Sequence, residues 1–397
     1  MSRILPLLPA AGQRTRGGGA WPLVLALVLA AALALPCGAP SVSAAARPGV
    51  HAMGEMLLGV YHGNQGWQMT QVQAMEHWQG KQHAVVHVFT NWCGDSPTTD
   101  GFFDRQLPSV WANGNVPLIS WEPYLCSRAG TPVDVERRAA SGDYDAYLTG
   151  WADRLQTFLS GPDGRYGTAD DRRAFLRVGH EMNDDWYPWG AAMGNNAPED
   201  FVAMWHRLRA IFDARGLDPT RLQWMWAVNN IDAGGVPAER YFPGDAAVDW
   251  VAVDGYNWGG YQPSSAWQPP SAVFGDIITR LRAMTAKPLA ITEAGSTTAA
   301  NAAGTDGGAG ATAKSRWVID LFGYARAQDV RLISWFNEDQ RPDWAVFGGA
   351  GGDETFLHAG TEYSAYSAYR HAVTAARVAG PDMANPRLIS DARFAGR

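Results

Sequence analysis

The chain has 397 residues, 46% of them hydrophobic and 18% charged, which excludes disorder and supplies apolar mass for one large domain or two ordinary ones. Acids outnumber bases 39 to 32, a net charge of −7 with no Lys/Arg cluster, so the basic face that nucleic-acid binding needs is missing. Trp (18) and Tyr (13) are abundant; many belong to the core, and large flat rings also suit a groove that stacks on sugars.

From the N-terminus, Arg3, Arg14 and Arg16 precede an apolar run from Trp21 to Leu35 and the small residues Ser41 to Ala46. That order describes a secretory signal peptide over residues 1–46. A membrane anchor is the alternative, but the run is shorter than the roughly 20 residues a spanning helix needs. Pro36 argues against lipid attachment at Cys37. Cleavage removes three Arg and no acid, leaving 29 bases against 39 acids. Cys93 and Cys126 remain; in an oxidising compartment an even pair reads as a disulfide, with two free thiols as the alternative. Such a crosslink would stabilise by about 3–4 kcal/mol through loop entropy.

Strands are predicted at Leu57–Tyr61, Ala84–Phe89, Val116–Trp121, Phe175–His180, Leu222–Ala227, Trp250–Asp254, Leu289–Thr292 and Leu332–Trp335. Between them, apolar residues recur at helical spacing: Tyr147, Trp151, Leu155 and Phe158; then Phe201, Trp205, Leu208 and Phe212, opened by Pro198 and stopped at Gly216; then Trp317, Leu321 and Tyr324. Eight strands alternating with helices predict an α/β fold, a single (β/α)8 TIM barrel over residues 47–380. The rival, a doubly wound sheet, lacks its glycine fingerprint: Gly63-Asn64-Gln65-Gly66 follows the first strand. Thr298 to Thr312, rich in Ala and Gly, is predicted to be a mobile loop, and residues 381–397 a C-terminal tail.

In such a barrel, reactive groups belong at strand C-termini. The fourth strand ends in Arg177, His180 and Glu181, followed by Trp186, Tyr187 and Trp189; the seventh delivers Glu293 after Leu289-Ala290-Ile291-Thr292. Two carboxylates facing across a barrel rim can work as a proton donor and a nucleophile in retaining glycoside hydrolysis. The alternative is that each Glu merely pairs with a nearby Arg.

The segments Arg177 to Trp189 and Ile291 to Gly295 resemble the two catalytic segments of glycoside hydrolase family 26, and Leu58 to Tyr61, Trp121 to Pro123, Trp250 to Asn257 and Ser334-Trp335 sit where that family has strand-end motifs. The resemblance spans most of residues 55–375. It implies Glu181 as acid/base and Glu293 as nucleophile. It further implies His180 hydrogen-bonding the nucleophile or the sugar, and Arg177 beneath the carboxylates. Tyr256 would hydrogen-bond the nucleophile, Trp335 floor the subsite and Trp186 and Trp189 line the cleft, although core packing is the other reading for any single Trp. Asp184 stands where the family commonly has glycine; its carboxylate would raise the acid/base pKa or point to solvent.

Asp163 to Asp171 is acidic and Gly-rich like some calcium loops but lacks EF-hand spacing, so a solvated turn is expected. His180-Glu181 lacks the second His of a zinc motif, and phosphate-loop and nucleophile-elbow motifs are missing. No cofactor and no metal are therefore expected. The resulting expectation is a secreted, monomeric, retaining endo-β-glycanase. It would bind polysaccharide, not nucleic acid, and have no stable membrane association once the signal is removed. β-1,4-Mannan is the favoured polymer; mixed-linkage β-glucan and β-1,3-xylan remain open, and a non-catalytic sugar-binding barrel is the reading from another class.

Overall fold

The computed structural model describes residues 54–94, 97–298, 310–340, 342–375 and 377–397. The expected signal segment lies outside the described residues, as does 299–309, most of the expected mobile loop. Residues from Gly54 onward form one compact unit. Among the described residues no helix is long and apolar enough to cross a membrane.

Eight parallel strands close on themselves: β1 (Met56–Tyr61), β2 (Val85–Asn91), β3 (Val116–Glu122), β4 (Ala174–Val178), β5 (Leu222–Asn229), β6 (Trp250–Asn257), β7 (Leu289–Ser296) and β8 (Val330–Phe336). Each pairs with the next in sequence, and β8 returns to β1 with Leu57 opposite Leu332 and Tyr61 opposite Phe336. All eight predicted strands are present, and the helices Asp145–Leu159, Pro198–Asp213 and Gly310–Ala327 carry the predicted periodic residues. The alternation departs from ideal between β5 and β6, where the short 3₁₀ turn Ala238–Tyr241 replaces a helix. After β8 an antiparallel hairpin, β9 (Glu354–His358) and β10 (Thr361–Ala365), precedes the helix Ser367–Thr374.

Successive strand residues face opposite sides of the barrel wall. Leu58, Val60, Ile119, Leu176, Val253 and Ile333 point outward and join the helices in the main core. Leu57, Val85, Val116, Phe175, Trp250 and Leu332 form a separate apolar layer inside, at the end where the strands begin.

Residues 381–397 are not the expected tail. Leu388, Ile389 and Phe394 are buried in that inner layer and stopper the barrel's lower end. Phe394 packs on Phe175 with ring centres 4.8 Å apart, and its carbonyl accepts a hydrogen bond from Trp250 Nε1 at 3.2 Å. Buried Arg173 pairs with Asp391 and donates to the Ile389 carbonyl at 2.6 Å. The segment looked dispensable because its apolar residues are few and aperiodic. A two-residue strand, β11 (Val378–Ala379), lies beside the start of β1 and leads into it.

Emptying a buried aromatic site costs about 3–5 kcal/mol. Phe394→Ala should therefore lower unfolding free energy by roughly 3 kcal/mol or more in denaturant titration. An unchanged midpoint would show that the segment does not seal the barrel.

Candidate functional site

Above the apolar layer the inward positions turn polar: His87 on β2, Ser120 on β3, Arg177 on β4, Asp254 on β6 and Thr292 on β7, all buried. Each follows from strand parity, since His87 lies two residues after Val85, Arg177 two after Phe175, and Asp254 two after Ala252. Arg177 is the hub. Its guanidinium pairs with both Asp254 and Glu293, Nε donates to Ser120 Oγ at 2.6 Å, and Nη2 lies 3.2 Å from His87 Nε2. Thr292 Oγ1 donates to Asp254 Oδ1 at 2.6 Å.

Thr292 and Glu293 are consecutive, yet both reach this network. A bulge makes that possible: Val253 pairs with Ile291 but Asp254 pairs with Glu293, so Thr292 is the extra residue. Bulges re-aim side chains in this way. Glu293 also accepts a hydrogen bond from the Tyr256 hydroxyl. The Tyr256 ring lies over Gly295, where a Cβ would approach it to 3.0 Å.

Glu181 arrives differently. β4 ends at Val178, and the chain then turns with Gly179 at φ 51° and Glu181 itself at φ 54°, a left-handed conformation uncommon for a non-glycine residue. A side chain at 179 would meet Phe201 at 3.2 Å. The Glu181 amide donates to the Ala227 carbonyl at 3.0 Å, and its Oε2 accepts from Trp186 Nε1 at 3.1 Å. Strain of this kind concentrates at functional sites.

Burial, then the charges of Asp254, Glu293 and Asp184, push Glu181 well above the usual carboxylate range against the pull of Arg177. Burial also lifts Asp254, to about 7, although Arg177 holds its carboxylate. Burial and then the Arg177 charge drive His87 far below its ordinary value, so the ring is neutral. Burial and the Glu293 charge keep the Tyr256 hydroxyl protonated, as a donor must be.

The sequence-predicted residues divide. Arg177, Glu181, Trp186, Tyr256 and Glu293 are brought together. His180 stands beside them, buried, with Nε2 3.1 Å from the Tyr187 hydroxyl. Arg177 pairs with Glu293 but not with Glu181 among the described ion pairs, so simple Glu–Arg pairing does not describe both carboxyls. Asp184 points not to solvent but inward, accepting the amides of Trp186 and Tyr187 at 3.0 and 3.1 Å.

Two expected cleft residues are elsewhere. Trp335 shares the outward parity of Ile333 and packs against Trp317 and Tyr369 of the helical layer, with ring centres 6.0 and 5.8 Å apart, so it floors no cleft. Trp189 is fully buried, stacked on Tyr187 at 4.3 Å with Nε1 donating to the His180 carbonyl at 2.8 Å. It supports the turn from below.

The rings at the mouth are instead Tyr61, Phe89, Tyr256, Trp258, Phe336 and Trp344. Trp344 packs on Tyr256 at 4.9 Å. No motif marks it, because it sits in an irregular segment after β8; parity would have found Phe336. The mid-strand polar residues in Val86-His87-Val88 and Ile119-Ser120-Trp121 were a readable signal that sequence reasoning passed over.

Cys93 and Cys126, just beyond β2 and β3, form a disulfide with Cα atoms 4.2 Å apart. In the Asp163–Asp171 loop, Asp171 pairs with Arg221 and accepts the Gly167 amide at 2.8 Å. Among the described residues no group of three His, Cys, Asp or Glu side chains is placed to hold a metal.

Residues 172–294 match the model of glycosyl hydrolase family 26. Endoglucanase H of Acetivibrio thermocellus is 30% identical over 281 residues, 69% of this chain but 27% of that protein. A mannan endo-1,4-beta-mannosidase of Bacillus subtilis is 29% identical over 205 residues, 49% of this chain and 51% of its own. The chain thus spans about a quarter to a half of these curated relatives. The solved structure of Bacillus subtilis mannanase man26 superposes with a TM-score of 0.53 at 19% identity, covering 81% of this chain and 86% of that one, a likeness of fold. With an Arg-centred network below one strand-end glutamate and a second on a strained turn, the stretch 172–294 that carries both is a glycosyl hydrolase family 26 segment.

Proposed function

We propose that the protein is a secreted endo-β-glycanase that cleaves β-linked polysaccharide by double displacement, with Glu293 as nucleophile and Glu181 as acid/base. One observation carries the assignment: the two carboxyls sit in opposite electrostatic surroundings. Glu293 is held by a guanidinium and a phenol, both hydrogen-bond donors. Glu181 is buried among other carboxylates, which favours its protonated form.

The chemistry follows from that difference. A Glu293 oxygen bonds to the anomeric carbon as the glycosidic C–O bond breaks, and the Glu181 proton passes to the leaving oxygen. Glu181, now ionised, takes a proton from water. The resulting hydroxide attacks the anomeric carbon, releases Glu293 and leaves Glu181 protonated again. Asp254 takes no part in bond-making; with Arg177 it fixes where the Glu293 carboxylate lies. The half-buried rings Phe89, Tyr256 and Trp258 supply apolar faces for sugars, and Trp186 holds the Glu181 carboxyl by its indole N–H.

β-1,4-Mannan is the favoured polymer, supported by the activity named for the Bacillus relative. A β-glucan is the second reading, supported by the longer alignment with an endoglucanase. The disulfide agrees with an oxidising destination and with residues 1–46 acting as a signal.

Three measurements test the proposal. Reducing-sugar release should appear with galactomannan, mixed-linkage glucan or a β-xylan and vanish in Glu293→Ala; retention of a polymer without hydrolysis by either protein would indicate a binding barrel. Azide should restore turnover to Glu293→Ala as a glycosyl azide of inverted configuration, and to Glu181→Ala, on an aryl glycoside with a good leaving group, as one of retained configuration. Swapped stereochemistry would reverse the roles. Finally, because the acid must be protonated and Glu181 is raised, kcat/KM should fall as pH climbs through a value above the ordinary carboxylate range. An alkaline limb surviving unchanged in Glu181→Ala would assign that proton to another group.

A further inference from the structure

The segment carrying Trp344 has no helix or ladder of its own, yet side chains hold several of its peptides. Asn337 accepts the amides of Val346 and Phe347 at 2.8 and 3.0 Å and donates to the Phe347 carbonyl at 2.8 Å. Asp339 Oδ1 accepts the Ala345 amide at 2.9 Å. The Asp343 carboxylate accepts from Thr297 Oγ1 at 2.5 Å and Thr298 Oγ1 at 2.8 Å, tying the segment to the end of β7.

Trp335 Nε1 donates to the Trp344 carbonyl at 3.1 Å, and a further tie is a cation. Lys314, on the helix Gly310–Ala327, is wholly buried. Its ammonium donates to the carbonyls of Asp343 at 2.5 Å and Ala345 at 2.8 Å, the residues on either side of Trp344. It also lies 4.7 Å from the centre of the Tyr366 ring. A buried ammonium is costly, and an apolar side chain would fill a core position without that cost. Here the charge strengthens two bonds that together fix one indole.

We propose that Lys314 is a positioning residue that sets Trp344 against Tyr256, and through it the hydroxyl that bonds Glu293, by clamping the two carbonyls flanking the indole. The same segment continues through Ala345 and Phe347 into the wall of a cavity of about 440 Å³ between the ends of β1 and β8. A shift of the clamp therefore moves both a ring at the mouth and the wall beside it. The inference deepens the glycanase reading and rests on it for its consequence, not for its geometry.

The clamp is sensitive to pH. Burial pushes Lys314 down to about 8, while Asp343, whose carboxylate is 4.0 Å away, and Asp339 oppose the shift. Tyr366 is the other titratable group against it, and it stays protonated at this pH because burial and the same carboxylates raise it. Above pH 8 the amine keeps its two donors but loses the charge that strengthens them.

Amide exchange over residues 342–350 reads the clamp without any substrate. In Lys314→Met that segment should exchange at least about fivefold faster at pH 7, with strand amides unchanged. In the wild type the same loss should appear between pH 7 and 9, beyond the intrinsic rise in exchange rate, and the variant should show no further loss. Hydrolysis by the variant should show kcat lowered several-fold with a smaller change in KM. Unchanged protection of 342–350, or a loss spread evenly over the barrel, would overturn the positioning role. The wild-type pH comparison stands even if the variant does not fold. A wild type that hydrolyses nothing would remove the glycanase reading while leaving the exchange result to decide the clamp.

Discussion

The arrangement at the barrel mouth depends on one buried guanidinium shared by two carboxylates. Arg177 pairs with Asp254 and Glu293 where all three are almost cut off from water. Glu181 and Asp184 are buried in the same region, so the carboxyls there outnumber the one cation. Charge in a low-dielectric interior must be paired or neutralised. The pairing goes to Asp254 and Glu293, and neutralisation falls on Glu181, which has an indole for company but no cation. In the proposed mechanism, the division of labour between proton donor and nucleophile arises from where one Arg points.

That guanidinium is held in place by its neighbours. Ser120 and neutral His87 take its remaining donors, and Thr292 braces Asp254. A polar layer of this kind inside a barrel would fill with water if the lower end were open. The apolar layer beneath it, sealed by Phe394 and Ile389, keeps that end dry.

How much of this was legible in the sequence depended on periodicity. All eight strands and the longer helices were readable because their apolar residues recur regularly and few glycines or prolines interrupt them. Glu181, Glu293, Arg177 and Tyr256 were readable because strand ends in such barrels converge. The same parity rule, carried along β8, excludes Trp335: Leu332 and Phe336 face inward, so Trp335 faces the helices. Reading Trp335 by motif rather than register produced that error. Trp189 failed for a different reason, because nothing in Trp186-Tyr187-Pro188-Trp189 says which ring the turn buries. Trp344 and Lys314 were beyond reach, since an irregular segment has no period and its partners lie on β6, at the ends of β7 and β8, and on the helix Gly310–Ala327.

Irregular backbone is also where the two glutamates differ. Glu293 comes from a bulge inside a paired strand, braced on both sides by neighbouring strands. Glu181 comes from a left-handed turn beyond its strand, held by one backbone bond and one indole. In the proposed mechanism a nucleophile must meet one carbon along one line, so a rigid strand suits it. An acid/base serves two oxygens in turn, the leaving oxygen and then water, and a turn lets its carboxyl adjust between them. The Trp344 segment resolves the same tension in another way. It needs an irregular path to reach Tyr256, and it gains rigidity from side chains that bind its peptides instead of from a ladder.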